Sequence, residues 1–88
     1  MPRYIVERTI PKLSHDELQS IGKKVVEVAD RLPGVIWIKS HISESAGKSY
    51  CEFEAPNPDV LRQHAQQVGL PIDKISMVEL EVDPAMFR

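Results

Sequence analysis

Most of the side chains in this sequence that could bind a metal ion or perform acid–base chemistry lie in its central part. The segment runs through VIWIKSHIS, a glycine-containing turn, SYCEFEAP and NPDVLRQHAQQVG. Imidazole, phenol and carboxylate groups are ligands that suit nickel, zinc or copper, and a thiolate suits softer metals. We therefore take this segment as the place to look for function. Its candidate ligands are His41, Tyr50, Cys51, Glu52 and His64.

The first group of candidates depends on how the two strands of this segment pair. If Lys39 lies opposite Glu52, every facing pair agrees in character, and His41 then lies opposite Tyr50. Imidazole, phenol and carboxylate would converge on one face of the sheet. Two interpretations stay open for this cluster. It is a metal site, completed by the same residues of a second copy, or it is a hydrogen-bond cluster in an interface.

The second group is Cys51 with His64. His64 belongs to the helical stripe Leu61, His64, Ala65 and Val68, which we expect to face the side of the sheet that also receives Cys51. The pair would serve as ligands of a soft metal, or as a thiolate with a histidine base. The alternative is a structural role, which is common for single cysteines and helix histidines. No CxxC, HxH or HExxH spacing supports a ligand set.

The first half of the chain predicts a strand followed by a helix. Residues 3–9 are rich in strand-favouring side chains and precede Pro11. Ser14 and Glu17 form a capping box, which predicts a helix start. Apolar residues then recur at helical spacing as far as Pro33-Gly34, which predicts an amphipathic helix of about five turns. His15, in its first turn, is expected to be solvated.

The second half predicts a hairpin, a helix and a last strand. Asn57-Pro58 is typical of a helix start, and Gly69 of a helix end. Alternation over residues 75–82 predicts the final strand. The order βαββαβ predicts an α+β, ferredoxin-like sandwich, in which two helices cover one face of a four-stranded antiparallel sheet. Residues 1–88 are expected to form one domain.

The pairing of the hairpin also predicts which side chains share a face. The orientation of the first strand stays open, because Tyr4, Val6 and Arg8 alternate with Ile5, Glu7 and Thr9. The face beneath the helices is predicted to hold Ile36, Ile38, Ile42, Cys51, Phe53, Val78 and Leu80. The opposite face is predicted to hold Trp37, Lys39, His41, Tyr50, Glu52, Glu54, Met77, Glu79 and Glu81.

The aromatic side chains predicted on the open face indicate that something covers it, and a second copy is the simplest partner. We therefore expect a homodimer formed through the open sheet face. The net charge is −2 and the eleven Lys and Arg residues are dispersed, which argues against nucleic acid as a partner. No apolar run approaches the about 20 residues of a membrane span, so no membrane partner is expected. The single cysteine and the lack of a signal peptide predict a cytoplasmic protein.

The succession of motifs resembles a known family. Y-x-V-E-R opens the chain, C-x-F-x-A-P closes the hairpin, R-x-H-A lies in the second helix and G-x-P follows it. In this order and spacing they resemble the small bacterial nickel-binding proteins of ferredoxin-like fold. The resemblance extends over nearly the whole chain. It implies a homodimer that binds divalent nickel and handles metal rather than catalysing a known reaction.

The leading hypothesis is a cytoplasmic, non-enzymatic homodimer that binds a divalent transition metal, with nickel expected. Its ligands are His41 with Tyr50 or Glu52, and further candidates are Cys51 and His64. The alternative is a small dimeric α/β-barrel enzyme of the isomerase or monooxygenase kind, with a cleft beside the shared sheets. A third interpretation is a dimerisation module without a ligand.

Overall fold

The computed structural model describes residues 1–88, which form one antiparallel sheet with two helices on one of its faces. The strands are β1 (Arg3–Thr9), β2 (Ile36–Ser43), β3 (Lys48–Glu54) and β4 (Lys74–Val78). The helices are α1 (His15–Arg31) and α2 (Pro58–Val68), and a 3-10 turn covers Pro84–Phe87. The strand order is β2-β3-β1-β4. The predicted ferredoxin-like βαββαβ fold is confirmed.

Both helices begin and end where the capping residues predict. Ser14 accepts a hydrogen bond from the Glu17 backbone through its side chain, and the Glu17 carboxylate accepts one from the Ser14 backbone. That second bond lowers the pKa of Glu17. Asn57 caps α2 by accepting from the Val60 backbone at 3.0 Å. Gly69 ends α2 in the left-handed region, at φ 88°.

The core lies between the helices and the sheet. Tyr4 and Val6 of β1 face the helices and are buried, which settles the orientation that the sequence left open. They pair across the sheet with Phe53 and Cys51 of β3, both also buried. Val28 of α1 is fully buried in the same cluster. Residues Arg3, Ile5 and Glu7 therefore lie on the open face.

The prediction for the start of β2 was wrong, because a β-bulge lies between Trp37 and Lys39. Lys39, Ser40 and His41 pair as predicted with Glu52, Cys51 and Tyr50, but Trp37 pairs with Phe53 rather than with Glu54. Trp37 thus packs on the helix side, and its indole N–H donates to the Ser40 hydroxyl at 2.9 Å. Burying the large indole of Trp37 stabilises the fold more than burying Ile36 and Ile38 would. These two side chains remain 50% and 39% exposed.

The prediction for the last strand was also wrong, both in which side chains face the helices and in the length of the strand. Met77 pairs with the helix-side Tyr4, and Val78 pairs with Arg3 on the open face. The strand ends at Val78, which pairs with Arg3, the first residue of β1. Residues 79–82 therefore lie outside the sheet, and the predicted core residue Leu80 is 79% exposed.

The start of β4 is fixed by a polar cluster at one end of the sheet. Lys48 donates to the Thr9 hydroxyl at 2.8 Å and to the Asp73 carboxylate at 3.2 Å. Thr9 itself donates to Asp73. The hydrogen bonds from Thr9 and Lys48 lower the pKa of Asp73, and the bond from Thr9 has the larger effect. The Asp73 backbone N–H also bonds to the Glu7 carbonyl at 2.8 Å, so the cluster sets the register between β4 and β1.

We expect Ser14→Ala to lower the free energy of unfolding by about 1 kcal/mol, because the capping box loses its side-chain acceptor. Urea unfolding followed by circular dichroism measures the change. Ser20→Ala is the matched control, since Ser20 is exposed within α1. If both variants unfold at the same urea concentration, the capping box contributes nothing measurable.

Candidate functional site

The first candidate site is a row of side chains across the open face of the sheet. His41 of β2 lies directly opposite Tyr50 of β3, as predicted. On its other side Tyr50 lies opposite Glu7 of β1, which lies opposite Lys74 of β4. Facing side chains of an antiparallel sheet have β-carbons about 5 Å apart. The row therefore offers an imidazole, a phenol and a carboxylate from three adjacent strands.

Glu52 lies in the neighbouring row and has a partner of its own. Its carboxylate is 3.3 Å from Arg3 Nη1, and the same guanidinium nitrogen is 3.3 Å from Glu81. The Glu52 side chain is only 17% exposed, whereas that of Glu81 is 75% exposed. A metal ion would compete with Arg3 for Glu52. The Glu7 carboxylate forms no ion pair, so a metal ion would not have to compete with a cation for it.

Sequence reasoning missed Glu7 because the orientation of β1 could not be read from its residues. Arg8 breaks the apolar alternation that would have shown the helix-facing side, yet it is buried. The apolar residues Tyr4 and Val6 would have identified the helix-facing side of β1 if Arg8 had been left out of the comparison. With that face assigned, Glu7 falls beside Tyr50.

The second candidate pair, Cys51 and His64, lies on the helix side of the sheet as expected. Cys51 is 9% exposed and His64 is fully buried. The Nε2 of His64 lies 3.0 Å from the carbonyl oxygen of Val25 in α1, so this nitrogen donates the hydrogen bond. Its ring packs edge-on against Phe53 with centroids 5.2 Å apart. His64 therefore joins α2 to α1 and to the sheet.

The surroundings of His64 keep it neutral. Burial is the main reason that its pKa lies below the ordinary value; the nearby Arg8 cation lowers it further, and the Val25 carbonyl opposes both. Arg8 is buried beside it, and its Nη1 donates to the Pro71 carbonyl at 2.9 Å. His64 Nδ1 and Arg8 Nε are buried without a hydrogen-bond partner. Neither atom bonds to Cys51, so the structure shows no hydrogen bond between the thiol and the imidazole.

The structure thus separates the five predicted site residues into two sets. His41, Tyr50 and Glu52 share the open face, and Cys51 and His64 share the buried layer. The chain contains no group of three or more His, Cys, Asp or Glu side chains arranged to hold a metal ion. His15 is exposed in the first turn of α1. Neither helix combines the length and apolar character needed to cross a membrane.

The order of strands and the open sheet face define a ferredoxin-like α+β protein, and comparison with solved structures agrees. The crystal structure of SCO4226 from Streptomyces coelicolor A3(2) matches with a TM-score of 0.81 at 17% identity, covering 91% of this chain and 99% of that one. Protein YJCS, from structural genomics, matches with a TM-score of 0.53 at 15% identity, covering 92% and 100%. At these identities the likeness concerns the fold. No curated protein matches the sequence.

The sequence also matches a family profile over residues 4–78, that of the nickel responsive proteins similar to SCO4226. The match covers most of the chain, and the chain belongs to this SCO4226-like family. The suspected resemblance to small nickel-binding proteins of ferredoxin-like fold is thereby confirmed at the level of the family. The matched region includes His41, Tyr50, Glu7 and all of the sheet except Arg3.

The buried neutral state of His64 predicts how stability depends on pH. The unfolded chain binds a proton at His64 near pH ~6.5, whereas the folded chain binds it only at lower pH. The contribution of neutral His64 to the free energy of unfolding is fully present above pH ~6.5. It is lost as the pH falls toward the pKa of His64 in the folded chain. Urea unfolding at pH 7.5 and at pH 5.5 measures the loss.

His64→Gln is the test variant, because an amide keeps a donor for the Val25 carbonyl but does not titrate in this range. Its stability should change less between the two pH values than that of the parent chain. His15→Gln should behave like the parent, since His15 is solvated. An unchanged pH dependence in His64→Gln would show that other groups cause it.

Proposed function

We propose that this chain is a homodimeric nickel-binding protein of the cell interior that handles the metal rather than catalysing a reaction. The ligands are His41 with Tyr50, together with Glu52 or the carboxylate of Glu7. The observation that supports this most directly is the row His41–Tyr50–Glu7 on the open face of a chain that belongs to a nickel responsive family. Imidazole nitrogen and carboxylate or phenolate oxygen are donors that divalent nickel accepts.

One chain provides two or three donors in this row, fewer than the four to six that such an ion usually takes. A two-fold axis over the open face would bring a second His41 and a second Tyr50 to the first pair. The exposure of apolar side chains on this face supports such packing, because Ile36 and Tyr50 are 50% and 38% exposed. The metal and the second copy would then cover the same surface.

Cys51 and His64 fit the proposed site less well than the open-face residues do. The imidazole of His64 already bonds to the Val25 carbonyl, and binding a metal there would bring a divalent charge close to the buried Arg8 cation. Placing a divalent ion beside a buried cation in an apolar layer is costly. We assign both residues to packing.

We expect His41→Ala to weaken nickel binding at least tenfold, because the variant loses an imidazole ligand. Isothermal titration of nickel into protein purified without a histidine tag measures the affinity. His15→Ala, in a solvated helix turn, should bind like the parent. If His41→Ala binds as tightly as the parent, the open-face site is wrong, and Cys51 with His64 becomes the pair to test.

The same site predicts a dependence on pH. Neutral imidazole is the form that binds the metal, and an ordinary histidine has a pKa near ~6.5. Nickel affinity should therefore fall as pH drops from about 8 to about 5.5, through competition with protons. In His41→Ala the residual affinity should change much less over that range. A parent affinity that is constant with pH would exclude histidine as a ligand.

The proposed dimer is tested separately from the metal. Light scattering should give about twice the chain mass of 10.0 kDa at micromolar concentration. Ile36→Asp should weaken association, because it places an unpaired carboxylate in the proposed interface on the open face. Met86→Asp, at an equally exposed apolar residue outside the sheet, is the control. A parent chain that is monomeric at all concentrations would contradict the dimer.

A further inference from the structure

An apolar pocket opens on the helix side of the sheet, between α1 and the strands β2 and β3. We call it the helix-side pocket. Its volume is about 470 Å³ with the solvent at its mouth included, a size typical of small-molecule sites. Leu18 and Ile42 are 43% and 44% exposed and mark its opening, whereas Val25 and Cys51 are buried and form its floor. Its other apolar walls include Leu13, Ile21 and Trp37.

Arg8 is the one charged residue in the lining of this pocket, and it has no counter-ion. Its side chain is 2% exposed, and no Asp or Glu carboxylate forms an ion pair with it. Its Nη1 donates to the Pro71 carbonyl at 2.9 Å, whereas its Nε–H is buried without an acceptor. A buried cation is normally paired with an anion, because an unpaired one loses its hydration without compensation. The fold thus keeps a cation with a free N–H donor in the floor of an apolar pocket.

Gly22 leaves space in the pocket on the side of α1. It lies in the middle of α1, on the same helix face as Leu18 and Val25. A β-carbon added to Gly22 would meet no atom within 4 Å, and its φ is not positive, so neither crowding nor the backbone requires glycine here. Glycine destabilises a helix interior relative to alanine. The chain bears this cost at a position where a larger side chain would fill the pocket.

We propose that the helix-side pocket binds a small apolar carboxylic acid, whose carboxylate pairs with Arg8 and whose apolar part lies between α1 and Ile42. The two oxygens of a carboxylate match the parallel N–H donors of a guanidinium. A short aliphatic chain or a single aromatic ring suits a pocket of this volume and lining. Neither nickel nor a second copy takes part in this site, so its absence would leave the proposed nickel site untouched.

The walls of the pocket favour this ligand over a more strongly charged anion. A phosphate needs several donors to replace its hydration, and the lining offers one cation among apolar side chains. A carboxylic acid with an apolar body satisfies both parts of the pocket, because its charge meets Arg8 while its body replaces water against apolar walls. Its charge would also compensate that of the buried guanidinium.

The first test titrates the full ¹⁵N-labelled chain by NMR with hexanoate and benzoate, and with hexanamide and benzamide as neutral counterparts. At least one acid should bind with a dissociation constant of about 1 mM or lower. Its amide should bind at least tenfold more weakly, because it cannot pair with the cation. Acetate should also bind at least tenfold more weakly, because it lacks the apolar part.

The Nε–H signal of Arg8 locates the bound acid in the same titration. This N–H has no acceptor in the free chain, so its resonance should move when the carboxylate bonds to it. No binding of either acid, equal affinities for acid and amide, or an Arg8 Nε–H signal that stays in place at saturation would each overturn the proposal.

The second test fills the pocket. Gly22→Leu should fold and resist urea at least as well as the parent, because leucine favours the helix more than glycine does. It should weaken binding of the acid at least tenfold by occupying the space beside α1. Ser20→Leu adds the same side chain at an exposed position of α1 and should bind like the parent. If Gly22→Leu binds the acid as tightly as the parent, the site lies elsewhere and the proposal fails.

The third test removes the charge. Arg8→Met keeps an unbranched side chain in the floor of the pocket, and it should bind the acid no better than the amide. Arg62→Met, at an exposed position of α2, is the matched control and should keep the preference for the acid. A preference for the acid that survives Arg8→Met would overturn the role of Arg8. Should Arg8→Met fail to fold, Gly22→Leu and the Arg8 Nε–H signal of the parent decide.

Discussion

The central strand β1 fixes the arrangement of every other side chain in the sheet, because it pairs with both β3 and β4. Burial of Tyr4 and Val6 beneath the helices holds its register. A shift of one residue would expose both side chains and bury Ile5 and Glu7 instead. It would also separate Glu7 from Tyr50. The open-face row thus depends on apolar burial on the opposite side of the same strand.

Local signals in the sequence were enough to predict the order and the bounds of most elements. The capping box at Ser14, the Asn57-Pro58 start and Gly69 each act within a few residues, and all three have the predicted roles. The hairpin register around Lys39 and Glu52 followed from matching side chains across two strands. These constraints act between residues close in the chain, so they can be read directly from the sequence. The burial of His64 and Cys51 followed in the same way from helical and strand periodicity.

The wrong predictions concern features that depend on contacts between residues far apart in the sequence. The bulge that turns Trp37 inward depends on how the indole packs over β3, and no local rule shows this. The end of β4 at Val78 depends on its pairing with Arg3, the first residue of β1, which lies more than seventy residues away along the chain. Glu7 entered the candidate site only when the orientation of β1 was known. The candidate ligands could be narrowed from the sequence, but their geometry required the full strand order.

The bulge at Ile38 also bears on how far the sheet can grow. A sheet with two free edges can extend indefinitely, each copy adding to the next, unless something stops the addition. The bulge interrupts the regular hydrogen-bond spacing of β2, and Lys39 follows it at once. Beyond the bulge the edge keeps only a short regular stretch, residues 39–43. An irregularity that first serves the packing of one tryptophan thereby also makes this edge a poorer template for a strand of another molecule.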